Sequence, residues 1–309
     1  MNMTANQMTL RELLHRFPDE AACKAFLASK RWPDGIVKCP RCGEKAYTLK
    51  ARPFHYLCKS GKESVSKETG EVSVCGKNGY RFSVITRTVF ENTNYPLREW
   101  FTVIFLMFSS KKGMSALQIH RMIGSGSYET AWYMCTRIRS AMRGDILPLQ
   151  GEVEADETYI GGKEGNKHLG KRGKWGSQGK TMVIGAIARK GNVVCQAVNE
   201  LGFTTQEDFV RKTVSNKVSL LATDEHAGYR HLGAHGFVHK TVNHSAKQYV
   251  VGSVHTNTIE SFWSLIKRGI IGNYHHVSKE YLPLYLNEFS FRFNNRKNPD
   301  IFDAIIAGC

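Results

Sequence analysis

The chain has 309 residues, a hydrophobic content of 41% and a formal net charge of +16 at neutral pH. That length supports two or three domains with a substantial core, and that charge favours a polyanionic partner. The run FTVIFLMF is too short to span a bilayer, no signal peptide precedes it and no lipidation motif is evident, so no membrane association is expected.

In chain order, Thr9 to Lys30 predicts a short helical region broken at Pro18-Asp19. KCPRCG follows. Cys39-x2-Cys42 with a glycine behind it is half of a zinc knuckle. Eight cysteines with no even framework suit a reducing cytosol and a metal site better than disulfides. The remaining ligands are expected to be Cys58 and Cys75, which are separated by 16 residues; His55 is the rival for either place. The segment from Lys59 to Val74 is polar and rich in Lys, Ser, Glu and Gly, which predicts a solvent-exposed loop. A closed Cys₄ site of this kind would be structural rather than catalytic, holding one Zn²⁺.

Tyr95 to Met142 predicts helices separated by short glycine-containing turns. A short helix, a tight turn and then a helix carrying Arg137, Arg139 and Arg143 is compatible with a helix-turn-helix in which Arg137 and Arg139 face DNA. A three-helix packing unit without DNA contact has the same pattern.

GEVEADETYI predicts the first strand of a third region. Alternation puts Val153 and Ala155 on one face and Glu154 and Asp156 on the other, with Glu157 pointing away from Asp156. Spacing does not choose between Glu154 and Asp156. The next segment, GGKEGNKHLGKRGKWGSQGK, is glycine-rich and basic. It leaves the Asp156 strand directly, so Lys163, Lys167, Lys171, Arg172 and Lys174 are expected to hold DNA phosphates without reading sequence. No G-x4-GK[ST] pattern points to nucleotide hydrolysis. A hairpin turning at Lys190-Gly191-Asn192, a helix capped by Thr204 or Thr205 and a strand SLLAT ending at Asp224 come next. GFVHKTVNHS predicts a fifth strand. The histidines around it lack the spacing of a metal site.

HTNTIESFWSLIKRG predicts a helix from Thr256 or Asn257, whose polar side chains can satisfy free N–H groups at its start. Ile259, Phe262, Trp263, Ile266 and Ile270 form one apolar stripe, and Glu260 and Lys267 lie beside it. Asp156, Asp224 and Glu260, on two strands and one helix, are what a two-metal phosphoryl-transfer site requires. Mg²⁺ takes carboxylate, water and phosphate oxygens, and a metal pair can serve both the attacking and the leaving oxygen.

The pattern D…D-x35-E with a lysine seven residues on resembles the DDE transposase signature on a ribonuclease H-like fold. VEADETYIGGKEGNKH, TDEHAGY, VNHS and HTNTIESFWSLIKRGIIGNYHHVS are similar to bacterial insertion-sequence transposases with an N-terminal zinc ribbon, the ISXO2-like family. The likeness runs from about Lys38 to Arg296. It implies an α/β chain: a ribonuclease H-like mixed-sheet catalytic domain preceded by a zinc ribbon and a small helix-turn-helix-like domain. The corresponding boundaries are 1–90, 91–150, 151–298 and a C-terminal tail at 299–309.

The resemblance chooses Asp156 over Glu154. It implies that Asp156, Asp224 and Glu260 bind two Mg²⁺ (or Mn²⁺), with Lys267 against a phosphate. The reaction implied is cleavage at the ends of an insertion sequence and joining of the freed 3′-OH to target DNA. Terminal inverted repeats, target DNA and a second copy of the chain on that DNA are the expected partners, in the bacterial cytoplasm at the nucleoid. Two departures stand out. The second cysteine pair, usually C-x2-C, is split here by the Lys59–Val74 segment, and the usually acidic position in NHSAKQYVVG is Gln248. A structure-selective nuclease of the same fold and an inactive zinc-dependent DNA-binding protein are the alternative functions.

Overall fold

The computed structural model describes residues 8–65, 72–75, 79–144, 147–162, 179–199, 203–224, 227–242 and 255–309. They form two compact units. The first comprises residues 1–109, 116–141 and 298–309, the second 110–115 and 142–297.

The first unit opens with α1 (Leu10–Arg16) and α2 (Glu20–Arg31). Thr9 and Glu12 form a reciprocal capping box on α1, and the Asp19 side chain caps α2 by accepting from Ala22 N at 2.8 Å. Each cap satisfies N–H groups that the helix itself leaves unpaired. A three-stranded antiparallel sheet follows, in the order β1 (Tyr47–Thr48), β2 (His55–Cys58), β5 (Tyr80–Ser83). The segment expected to be an exposed loop carries instead a short antiparallel ladder, β3 (Glu63–Val65) with β4 (Val72–Val74). Val65 on one strand and the alternating Val72 and Val74 on the other favour it; composition alone points to a loop.

Three helices follow: α3 (Leu97–Ser109), α4 (Ala116–Ile123) and α5 (Tyr128–Ala141). The FTVIFLMF stretch of α3 is buried on almost every side, as its apolar circumference requires. Ser127 Oγ accepts from Thr130 N at 3.2 Å at the start of α5. The expected C-terminal tail is a helix, α9 (Ile301–Gly308), with Ile301, Phe302, Ile305 and Ile306 buried. Phe302 packs against Phe17, Phe26, Phe101 and Phe108, its ring centroid 5.4 Å from that of Phe101. The apolar IFDAII period is what turns those residues inward.

The second unit is built on a five-stranded sheet in the order β10-β9-β6-β7-β8. β6 (Glu152–Ile160), β7 (Thr181–Ala188) and β8 (Val193–Val198) form an antiparallel meander, the last turn passing through Lys190 at φ +61°. After α6 (Phe203–Thr213) the chain adds β9 (Leu220–Thr223) parallel to β6, then β10 (His239–Thr241) parallel to β9. This is a ribonuclease H-like mixed sheet. Its two faces alternate residue by residue. Val153, Ala155, Ile184 and Ala186 face α6 through Phe209 and Val210. Ile160, Val183 and Ile187 face α7 (Asn257–Gly269) and α8 (Leu282–Asn294). The last turn of α7 runs on as a π-helix over Ile270–Tyr274. No helix of the described residues is long and apolar enough to cross a membrane.

Candidate metal centres

The acidic centre begins where β9 stops. The parallel register pairs Glu154 with Ala222; two residues further on, Asp156 comes level with Asp224. Carboxylate oxygens of Asp156, Glu157 and Asp224 lie within 4.8 Å of one another. Asp156 faces α7, and Trp263 Nε1 donates to its Oδ2 at 3.0 Å. The register also pairs Asp156 with Gly185. A Cβ at Gly185 would come within 2.5 Å of the Trp263 ring, so glycine opposite the acid is what lets the indole reach it.

Glu157 was expected to point away, and its contacts do lie on the other face. It accepts from Tyr229 Oη at 2.5 Å and from Gln206 Nε2, and both donors are fully buried. Its carboxylate nonetheless joins the group. The β9 ladder on that edge of β6 ends at Glu154, so side chains from both faces can converge around the uncovered edge. Alternation reports a face; it does not report where a neighbouring strand ends.

Burial pushes the Asp156 carboxyl up to about 7, and the like charges of Glu157 and Asp224 add to the rise. Three converging hard oxygens in a setting that resists ionisation fit a divalent cation. The unfolded chain releases this proton near pH 4, about the ordinary aspartate value, while the folded chain holds it until about 7. Stability of the cation-free protein is therefore present at low pH and lost as pH rises between those two values. A melting series across this window is expected to fall with pH, and to fall less when Mn²⁺ is present.

Glu154, the other candidate on the same face, is 0% exposed and bound to Arg189 and the first turn of α7. Glu260 is exposed in that first turn, accepts from Thr256 Oγ1 at 2.9 Å and stands outside the three-acid group. It lies about one helical turn before Trp263, the residue that reaches Asp156. Lys267 is exposed two turns beyond Glu260. Lys163, Lys167, Lys171, Arg172, Lys174 and Gln248 lie outside the described residues.

Two expected DNA contacts are corrected. Arg139 is 1% exposed, on the buried stripe Ala131, Cys135, Arg139 that helical spacing alone would have shown. Arg137 donates to the backbone carbonyls of Glu91 and Thr88 and to Tyr133 Oη. Its guanidinium ties a turn together. Arg292, Asn294, Asn295 and Arg296 likewise donate to backbone carbonyls of their own unit.

The second centre is the group Cys39, Cys42, Cys58 and Cys75. Cys39 and Cys42 flank a turn closed by Gly43 at φ +76°, Cys58 ends β2 and Cys75 follows β4. Sulfur separations are 3.7 Å for Cys39–Cys75, 3.6 Å for Cys42–Cys58 and 3.7 Å for Cys75–Cys42. A disulfide needs about 2.0 Å. Tetrahedral zinc with bonds of about 2.3 Å puts its sulfurs about 3.8 Å apart, and the observed edges match that. Burial pushes Cys39 and Cys75 up, whereas Cys42, despite burial, is brought to about 7 by hydrogen bonds from the Ser60 hydroxyl and the Glu44 N–H. His55 is not in the group; its Nδ1 lies 3.0 Å from Pro53 O.

Residues 148–294 match an ISXO2-like transposase domain, and residues 18–62 match a transposase zinc-ribbon domain. The second match stops before Cys75, so the fourth sulfur is supplied by the fold rather than by the matched segment. A protein described as an uncharacterized protein in transposable element ISH50, from Halobacterium salinarum, is 26% identical over 292 residues, 89% of this chain and 91% of that protein. The crystal structure of a pre-cleavage Mos1 transpososome is 10% identical, over 67% of this chain and 78% of that one, with a TM-score of 0.29.

Proposed function

This chain belongs to the ISXO2-like transposase family, and from that premise we propose that its acidic centre cuts the ends of an insertion sequence and joins the freed 3′-OH to target DNA. The observation that carries the proposal is the meeting of Asp156 and Asp224 at the end of the parallel β6–β9 pair. Asp156 and Asp224 would hold divalent cations, Mg²⁺ or Mn²⁺ by the chemistry of oxygen donors, and Glu260 would complete the set from α7. Two such ions, when bound, activate an attacking oxygen and stabilise a leaving one.

The chain's own groups do the rest. Trp263 fixes one oxygen of Asp156, which leaves the other to face the site. Lys267, exposed on α7, neutralises a phosphate near the cut. Lys163, Lys167, Lys171, Arg172 and Lys174 hold backbone phosphates in a sequence-independent way. The zinc ribbon and the α4–α5 pair recognise the terminal inverted repeats. Two ends must be cut together, so a dimer or larger assembly on DNA is expected, working at the nucleoid. In domain terms, residues 1–90 and 91–150 recognise DNA, and 151–298 carries the chemistry.

The test uses purified full-length protein with Mg²⁺ and a plasmid bearing the DNA that flanks its gene. Breaks paired at inverted repeats, with joining of the 3′ ends elsewhere, are the expected result. Cuts that follow DNA shape and never join would instead establish a nuclease.

A further inference from the structure

Helix α7 begins without a cap of its own. Its N-cap residue Thr256 makes no side-chain bond to the helix N–H groups, although the sequence had suggested Thr256 or Asn257 for that task. Those N–H groups are met instead by Glu154, more than a hundred residues earlier. Glu154 Oε2 accepts from Thr258 N at 2.8 Å and Ile259 N at 3.0 Å. Its Oε1 accepts from Thr258 Oγ1 and Arg189 Nε, both at 2.8 Å. Nδ1 of His255 stands 3.2 Å from the same oxygen.

A fully buried carboxylate is costly unless paired and hydrogen-bonded. Here the positive end of a helix and a guanidinium share it. Arg189 is itself held by Glu152 Oε2 at 2.5 Å and by the His255 carbonyl at 3.1 Å. The arrangement leaves no room for Glu154 as a metal ligand: donors occupy both oxygens, and a guanidinium lies against one of them.

A second clasp lies two residues along the same face of β6, where Trp263 holds Asp156. The spacings match. Two strand residues advance about 6.6 Å, and the step from the Thr258–Ile259 amides to Trp263 advances about 6.8 Å along a helix. Two clasps at equal spacing fix both the height and the rotation of α7 on the sheet. Glu260 stands between them.

We propose that Glu154 is a positioning residue that docks the first turn of α7 on β6 and so sets where Glu260 stands relative to Asp156 and Asp224. The proposal rests on the three-acid reading above. In Glu154→Gln, the amide must turn a donor toward either the α7 N–H groups or Arg189, and the charge is lost. A misplacement of about 1 Å costs on the order of a hundredfold in rate, so metal-dependent cutting is expected to fall about that much.

Three readouts accompany the rate in the full-length protein. The Mn²⁺ concentration for half-maximal cutting should rise. Hydrogen exchange at the Thr258 and Ile259 amides should accelerate. Binding to the element ends should not change. Glu154→Asp, which keeps the charge, should recover part of the loss. A folded Glu154→Gln protein with the parent's cutting rate, Mn²⁺ requirement and exchange would overturn the proposal. If that variant does not fold, Thr258→Val removes one hydrogen bond and leaves the charge pair. A several-fold higher Mn²⁺ requirement in it supports the proposal, and an unchanged one refutes it. Glu260→Gln run alongside separates the two readings. If Glu260→Gln still cuts, the three-acid reading fails and this proposal with it. If it is inert while Glu154→Gln is unaffected, only the positioning role falls.

Discussion

Asp156→Asn is expected to bind DNA ends as the parent does and to leave them uncut. Loss of an outer partner of a metal ligand alone costs about 10–100-fold, so loss of a ligand should cost at least about a thousandfold. Asp224→Asn and Glu260→Gln should do the same if the three acids act on one centre. Stability separates lost chemistry from lost fold. In the parent, ionising Asp156 is opposed by burial and by the charges of Glu157 and Asp224. The neutral amide removes that opposition. Asp156→Asn should therefore melt higher than the parent at neutral pH in EDTA, and Mn²⁺ should raise its melting point less. A variant that is inert because it is unfolded would show the reverse. Undiminished cutting by all three variants would dismiss the metal assignment, and cutting by Glu260→Gln alone would transfer the third position to Glu157, whose carboxylate already lies in the group.

The second large effect concerns zinc. Structural zinc contributes about 10–16 kcal/mol of apparent binding energy in small modules, as much as or more than the usual total stability of a domain, about 5–15 kcal/mol. Beside the thiols the ribbon has a small core in which Ala46, Tyr56 and Phe82 are buried. Its sheet has strands of two to four residues, and three of its thiols are among its buried side chains. Cys58→Ser is expected to carry no zinc, against one per chain in the parent, and to lose the β1–β2–β5 sheet and end recognition with it. The second unit keeps its own core on both faces of its sheet, so its strands should persist and a separate melting transition should remain. Metal content by atomic emission and hydrogen exchange over residues 38–58 would read both effects. Full zinc occupancy in Cys58→Ser would remove Cys58 from the ligand set and return His55 to it.

Much of this was legible along the chain because the signals are local. Cys39-x2-Cys42 is one turn. The apolar stripe from Ile259 to Ile270 is one helix, and the strand that ends at Asp224 is one short run. Each depends on neighbours within a few residues, and the resemblance supplied the order in which they assemble. The Lys59–Val74 segment is where composition points to a loop and period to a strand: VSV carries the alternation of the element it forms.

The sequence by itself determined the family, the mixed-sheet class and the four cysteines that the fold brings together, because period, turn chemistry and ligand spacing are properties of short stretches. Only the tertiary structure decided what surrounds acids on neighbouring positions. Glu154 and Asp156 share a face and a charge, yet one is buried against Arg189 and a helix start while the other opens toward Asp224. Glu157, on the opposite face, reaches the same group because β9 ends beside it. Arg139, basic and expected outside, lies inside. Where a side chain ends is set by which distant element covers it, and no pattern confined to one strand or helix contains that information.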